Sequence, residues 1–263
     1  MLERRHMAEQ KSTVQSIERA ADILEFLYRK REEASIREIS GETGLSGGTV
    51  HRILGTLRQR GFVYQNESNS KYWLGLKFYS YGDVVKENLP IVSMVEPIAD
   101  EIAKKYKETV YMTVPSFESP VLAQQAHILK VSHSSFILRS SPGVGAVSPC
   151  HGSATGKCLM SYYPKALLEE YSRFPLPSLT SRSVTDWENM REELKKIRQK
   201  GYAVESEEEE VGLTCVAVPI VDKNEQIVAA VSLSGPTARI FSFPINEILA
   251  DLRQMSREVT ENF

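Results

Sequence analysis

Two parts of the chain carry side chains suited to chemistry. Between positions 46 and 58 stand Ser46, Gly47, Thr49, His51, Arg52, Thr56 and Arg58, a set of small, hydroxylated and basic residues. Such residues at helical spacing can approach a nucleic-acid groove closely and donate to base edges or phosphates. Farther along, Cys150 adjoins His151, with Cys158 nearby and Cys215 distant. A thiol beside an imidazole raises the idea of a cysteine nucleophile with a histidine base. Neighbours on an irregular segment seldom bring those groups into hydrogen-bond reach, however, and no orienting third group is evident. There is no CxxC and no HxxxH, so the spacing of a structural zinc site is missing and neither metal nor cofactor is expected.

The elements that must position the first set follow from periodicity. Val14, Ile17, Ala20, Ala21, Leu24 and Leu27 predict a helix over 14–30, with Ser12 or Thr13 as its N-cap. Ser35 with Glu38 reads as a capping box that opens a short helix over 36–43. Gly44 and Leu45 then make a tight turn. Ser46 caps a third helix whose buried face is Val50, Ile53, Leu54 and Leu57, and Gly61 suits the position after its end. Phe62–Tyr64 and Tyr72–Leu74, separated by a polar turn, predict a hairpin.

This order is that of a winged helix-turn-helix over 13–75, with the helix-turn-helix itself at about 35–54. Its third helix would enter the major groove of duplex DNA. Gly47, Thr49, His51, Arg52 and Thr56 then face the bases, while Arg58 and the wing residues Asn69 and Lys71 reach the backbone. A similar module can instead hold a protein partner. Gly47-Gly48 suits either close approach to a duplex or a plain turn.

Residues 76–88 continue as a helix broken at Asn88-Leu89-Pro90, which predicts a linker helix and a second domain over 89–263. In that domain, helical spacing runs from Val92 to about Tyr106. Strand-like runs follow at Val110–Val114, Val121–Ala126 and Phe136–Arg139, and Pro142–Gly145 makes a loop. Helices are expected over 151–162, after Pro164, over 187–201 and over 245–260. Strands are expected at Tyr202–Glu205, Cys215–Val221 and Ile227–Ser234. Segregated helices and strands predict an α+β fold. Glu205–Glu210 holds five acids in six positions and reads as a solvated charged face.

Length and composition set the bounds. The 263 residues suggest two domains, and 41% apolar with 25% charged residues is ordinary for a globular chain. Apolar stretches such as Ile227–Val231 are far shorter than the roughly 20 residues that span a bilayer, so no membrane association is expected. The polar start, Met1–Ser12, is expected to be flexible and not a signal peptide. Three cysteines suggest the reducing cytoplasm. The net charge is −2, yet residues 1–76 carry 12 Lys/Arg against 10 Asp/Glu, and Thr43–Asn66 holds three arginines and no acid. A phosphate-facing surface needs such an acid-free stretch.

Several motifs together resemble the isocitrate lyase regulator (IclR) family of bacterial transcription factors. Ser16-Ile17-Glu18-Arg19-Ala20 looks like that family's first helix, and Thr49–Leu57 like its recognition helix. Tyr72-Trp73-Leu74-Gly75 resembles the end of its wing, and His151–Lys157 its helix-start signature. Gly212–Ala217 with Ser232–Pro236 resembles its strand pair. The resemblance implies a winged helix-turn-helix joined to a GAF/PAS-like effector-binding domain, and homodimers or tetramers. It also implies ligand-dependent control of an operon, most often repression of a catabolic one, through double-stranded operator DNA. The effector it implies is a small metabolite such as an organic acid.

The family's pocket maps onto Ala154, Thr155, Glu205, Cys215, Ser232 and Ser234. Free N–H groups at the helix start suit an anion there. Ser232 and Ser234 alternate on one strand face, and Val144 and Gly145 are expected to close an apolar wall. Glu205 stands where relatives that bind small keto acids carry a shorter aspartate, and Thr155 is bulkier than the usual residue; the longer acid favours a ligand with an amine or hydroxyl. GAF-like folds also include a few cysteine enzymes, the alternative for this domain.

Overall fold

The computed structural model describes residues 14–115 and 124–262. The expected N-caps Ser12 and Thr13, the flexible segment 1–12 and positions 121–123 of one expected strand lie outside them. The chain divides into two compact units, Met1–Asn88 and Leu89–Phe263.

In the first unit, α1 (Gln15–Lys30), α2 (Ile36–Thr43) and α3 (Gly47–Gln59) precede a two-stranded hairpin of β1 (Val63–Gln65) and β2 (Tyr72–Leu74), and α4 (Lys77–Glu87) follows. Local chemistry fixes the boundaries. Ser35 and Glu38 form a reciprocal capping box on α2. Gly44 then takes φ 68°, a left-handed turn that glycine adopts without a Cβ penalty. The Ser46 hydroxyl accepts from the Thr49 N–H at 3.3 Å and so caps α3. Ile23, Leu27, Ile39, Val50, Leu54, Val63 and Tyr72 are the buried centre of the unit. Completely burying each aliphatic side chain is worth roughly 1.5–3 kcal/mol, which holds three short helices and a small hairpin together. Gly75 closes the hairpin against Gly61: a Cβ there would stand 2.2 Å from the Gly61 carbonyl oxygen.

The second unit begins with α5 (Pro90–Tyr106) and is built on a six-stranded antiparallel sheet. Its strands are β3 (Thr109–Pro115), β4 (Gln125–Ser132), β5 (Val147–Pro149), β6 (Ala203–Ser206), β7 (Leu213–Val221) and β8 (Ile227–Pro236), in the order β5-β4-β3-β8-β7-β6. The helices α6 (Ala154–Met160), α7 (Lys165–Tyr171) and α8 (Trp187–Lys200) lie between β5 and β6, and α9 (Thr237–Ile240) and α10 (Ile245–Asn262) end the chain.

Period-two alternation divides the sheet into two faces. Val110, Met112, Val216, Val218, Ile220, Val231 and Leu233 pack with residues of α5 and α10 such as Val95, Ile102, Leu252 and Met255. The intervening residues make the opposite face. Register sets them in rows across neighbouring strands: Glu205 opposite Cys215 opposite Ser234, and Ala203 opposite Ala217 opposite Ser232 opposite Tyr111. Ala203, Ala217 and Ala230 are small, and there the face is covered by α6 and α8 residues such as Cys158, Leu159, Leu194 and Ile197.

Two sequence expectations are corrected. Phe136–Arg139 is not a strand; the strand paired with β3 runs from Gln125 to Ser132. Phe136–Arg139 is exposed and irregular because Arg239 fixes it from outside the sheet, donating to the Leu138 carbonyl at 2.8 Å and lying over the Phe136 ring. The helix expected over 151–162 is limited to Ala154–Met160, since the Ser153 side chain caps it by accepting from Gly156 N–H at 3.2 Å.

Candidate functional site

The first candidate surface is the outer side of α3. Its buried side points Val50 and Leu54 into the core, so Gly47, His51, Arg52, Thr56 and Arg58 are exposed and Thr49 is half-buried. Ser46 is exposed and engaged in capping. The Thr56 hydroxyl donates back to the Arg52 carbonyl at 3.2 Å. Among the described residues no acid pairs with Arg52, whose guanidinium is left to solvent. Arg58 differs: it donates to the Gln65 side chain on β1 at 2.7 Å, which ties α3 to the hairpin.

The wing is organised by Glu33, a residue the sequence reading did not single out. Its carboxylate accepts from Asn69 at 2.7 Å, from Asn66 at 3.0 Å and from the Tyr64 hydroxyl at 3.0 Å. These hydrogen bonds, that of Asn69 foremost, hold the Glu33 carboxyl below the usual carboxylate range. The Asn69 side-chain oxygen meanwhile accepts from Lys71 N–H at 2.8 Å. Both ends of the Asn69 amide are thus committed inside the module, whereas the half-buried Lys71 makes no ion pair among the described residues. The only sequence signal for Glu33 was an acid just before a capping box, which is too common to identify an anchor.

The second candidate is a cavity of about 580 Å³ on the α6 side of the sheet. Of the sequence-expected residues, Thr155, Cys215, Ser232 and Ser234 line it. The other four lie outside its wall. Ala154 is fully buried in the core around α6. Val144 is 61% exposed. Gly145 holds a turn at φ 83°, its N–H donating to Ile128 at 2.8 Å. Glu205 is fully buried behind the wall, paired in register with Cys215. The cavity instead gains Tyr111 and Thr113 from β3 and Glu209 from the loop after β6. Tyr111 and Thr113 alternate on one strand as Ser232 and Ser234 do, a signal that was present in the sequence.

The acidic run after β6 is not a solvated face. One Glu205 oxygen accepts the backbone N–H groups of Glu208 at 2.5 Å and Glu209 at 3.3 Å, so the run folds inward over its own carboxylate. Burial pushes Glu205 up to about 7 despite those two N–H donors. Glu208 is bound at 2.6 Å by Lys157 of α6, whose side chain is completely buried and also meets Glu193 of α8 at 2.7 Å. Glu209 accepts the Ser148 hydroxyl of β5, and burial raises its pKa also. One turn of chain thereby spans the sheet edge, α6, α8 and the cavity wall.

The thiols are placed differently from a reactive cysteine. Cys150, Cys158 and Cys215 are all buried and unpaired by disulfide. Burial pushes both Cys150 and Cys215 up to about 12. The His151 ring is committed to the Pro177 carbonyl at 2.8 Å, and burial lowers its pKa. Among the described residues no cluster of His, Cys, Asp and Glu is arranged to hold a metal ion, and no helix is long and apolar enough to cross a membrane.

Comparison with known proteins covers both units of the chain. Residues 16–67 match the family model described as the IclR helix-turn-helix domain, and residues 84–261 match the bacterial transcriptional regulator IclR C-terminal model. The chain is 30% identical over 249 residues to the HTH-type transcriptional regulator XynR of Escherichia coli K12, covering 92% of this chain and 94% of XynR. To the transcriptional repressor IclR of the same organism it is 27% identical over 248 residues, covering 94% and 89%. In fold it is similar to an IclR homologue from Microbacterium hydrocarbonoxydans complexed with 4-hydroxybenzoate, with a TM-score of 0.81 at 20% identity, covering 94% of this chain and 98% of that one. With a winged module, a separate cavity-bearing domain and matches to both family models, the chain belongs to the IclR family of ligand-responsive, DNA-binding transcriptional regulators.

Proposed function

We propose that the chain represses a catabolic operon, binding a roughly palindromic operator as a homodimer or as a tetramer, and that a small metabolite in the cavity changes its grip on DNA. The observation that carries this reading is the outer face of α3, where Gly47, His51 and Arg52 are exposed, no acid intervenes from Thr43 to Asn66, and Arg52 is unpaired among the described residues. A helix so arranged can lie in a major groove with its N-terminal residues on base edges. Arg52 then reads guanine or clamps a phosphate, with the hydroxyl groups of Ser46, Thr49 and Thr56 beside it. Lys71 takes the backbone contact of the wing. Arg58 and Asn69 act behind it by holding the hairpin.

Two half-sites call for two copies of the module. Helix α4 buries none of its residues, and Tyr79, Val84 and Val85 stand 80%, 57% and 58% exposed. A second copy of the chain covers that apolar surface in this reading. Ligand control is a population shift, so the metabolite must favour one arrangement of the protein over another. Thr155, Cys215, Ser232 and Ser234 are the contacts assigned to it.

A cysteine enzyme draws no support from thiols whose pKa lies far above neutrality, because so little thiolate is present. Three cysteines outside any disulfide also suit a cytoplasmic protein.

The test is a mobility-shift titration against the upstream region of its own gene, comparing wild type with Arg52→Ala. The expected loss is about 1–3 kcal/mol of operator affinity, roughly 5- to 150-fold. Equal affinity overturns the role of Arg52. No preference for the upstream region over random duplex at moderate ionic strength, with or without cell extract, overturns the reading as a whole.

A further inference from the structure

We propose that the cavity takes a neutral polyhydroxylated carbon chain, a polyol or a free sugar, in preference to a carboxylate. The proposal rests on the cavity being the effector site. It narrows that reading in a direction opposite to the organic acid that family resemblance suggests.

The wall carries the argument. Nine of its lining residues bear hydroxyl groups. Two of them, Thr113 and Ser232, are 2% and 0% exposed, and their hydroxyl oxygens have no hydrogen-bond partner among the described residues, Ser232 standing only beside the Cys215 thiol. A buried hydroxyl without a partner is destabilising, because it has given up its hydrogen bonds to water. A ligand oxygen at each would remove that cost. Thr113 and Ser232 lie on adjacent strands and on one face, two pairing steps apart, since Tyr111 faces Ser232 and Thr113 faces Ala230. They are therefore spaced for two separate groups along one molecule, not for a single atom.

Charge decides between a hydroxyl-bearing and an anionic ligand. The wall contains Glu209 and Glu210 and the cation Arg139. Arg139 is the single cation of the wall against those two acids, and its Nη1 already donates to the Ser134 and Phe136 carbonyls at 3.3 Å. An incoming carboxylate can only accept, so it would compete with Glu209 for donors and lie against like charge. A ligand hydroxyl both donates and accepts. It can give its proton to Glu209 and receive one from Thr113 or Ser232. Ile128, Leu138 and Val147 supply apolar wall for the C–H faces of such a chain. A volume of about 580 Å³ lies within the usual range for small-molecule sites and leaves room for a hexose with water.

The experiment is isothermal titration of the full chain with matched sets: xylitol, D-glucitol and D-mannitol, their aldoses, and the corresponding aldonates. Each set keeps the carbon chain and changes only the end group. At least one neutral member is expected to bind about tenfold or more tightly than its aldonate. Thr113→Val combined with Ser232→Ala is expected to weaken that ligand about tenfold or more, whereas Thr113→Ser, which keeps the hydroxyl, retains it. Tighter binding of the aldonates, no neutral member binding below about 10 mM, or full affinity in the double variant overturns the proposal.

A mobility shift with each ligand separates this proposal from the regulatory reading. A polyol that binds without altering the operator complex leaves the ligand class standing and removes the regulatory role of the cavity. An aldonate that releases the operator does the reverse.

Discussion

Glu205 is the residue whose chemistry differs most from its appearance in the sequence. It begins an acidic run, yet it is fully buried and its carboxyl is pushed from an ordinary 4.5 up to about 7, chiefly by burial. The folded state therefore holds a proton that the unfolded state releases between those two values. Stability contributed at this position falls as pH rises through that window, and the full cost is present above it. Glu205→Gln removes the titration and keeps an oxygen to accept from Glu208 and Glu209. Its stability is expected to drop less than that of wild type between pH 5 and pH 8, by about 2–3 kcal/mol at most. Urea unfolding of both proteins across that range measures the difference. Parallel pH profiles would show that Glu205 ionises freely in the folded chain. Glu208 and Glu209, raised in the same direction by burial, are present in both proteins.

At the scale of elements, two glycines in helices have opposite reasons to be glycine. Gly156 lies in α6 against the chain at Cys150, and a Cβ there would stand 2.3 Å from the Cys150 Cα and 2.5 Å from its carbonyl oxygen. Backbone cannot yield as a side chain does, so Gly156→Ala must lift α6 from its place beside the cavity. A loss of about 2–4 kcal/mol is expected in thermal or urea unfolding. Gly48, in the first turn of α3, has nothing within 4 Å of an added Cβ. Gly48→Ala is accordingly expected to stabilise by about 0.5 kcal/mol, the intrinsic helix preference of alanine. Equal behaviour of the two variants in unfolding would contradict this account of α6 packing. The buried ion group of Lys157 with Glu193 and Glu208 reinforces the same element, joining α6 to α8 and to the loop that bears Glu209.

At the scale of the whole molecule, the proposed homodimer or tetramer turns on α4. The apolar side of α4 is not satisfied within one chain, because Tyr79 and Val85 are exposed on a helix that buries nothing. Tyr79→Glu with Val85→Glu places charge on that surface. The expected outcome is a fall in mass from dimer or tetramer toward monomer in sedimentation velocity. A loss of operator affinity of about 100-fold should accompany it, since the second half-site is no longer held at high effective concentration. An unchanged mass would assign the contact to another surface.

The elements of the first unit were almost entirely legible in the sequence. The capping box at Ser35, the cap at Ser46 and the left-handed glycines Gly44 and Gly61 act through neighbours a few positions away, so their chemistry can be read locally. The order of elements and the alternation of Ser232 with Ser234 were determined in the same way. Thr155, Cys215, Ser232 and Ser234 were assigned to the pocket from the sequence and line the cavity. Only the tertiary structure added Thr113 and Glu209 to them, through strand register and a loop folded over Glu205. It also decided that Ala154 and Glu205 are withdrawn behind the wall, and that Phe136–Arg139 is irregular under the hold of Arg239. Short-range hydrogen bonds and periodicity are encoded by adjacent residues, whereas burial and cavity shape depend on which distant segments the fold brings into contact.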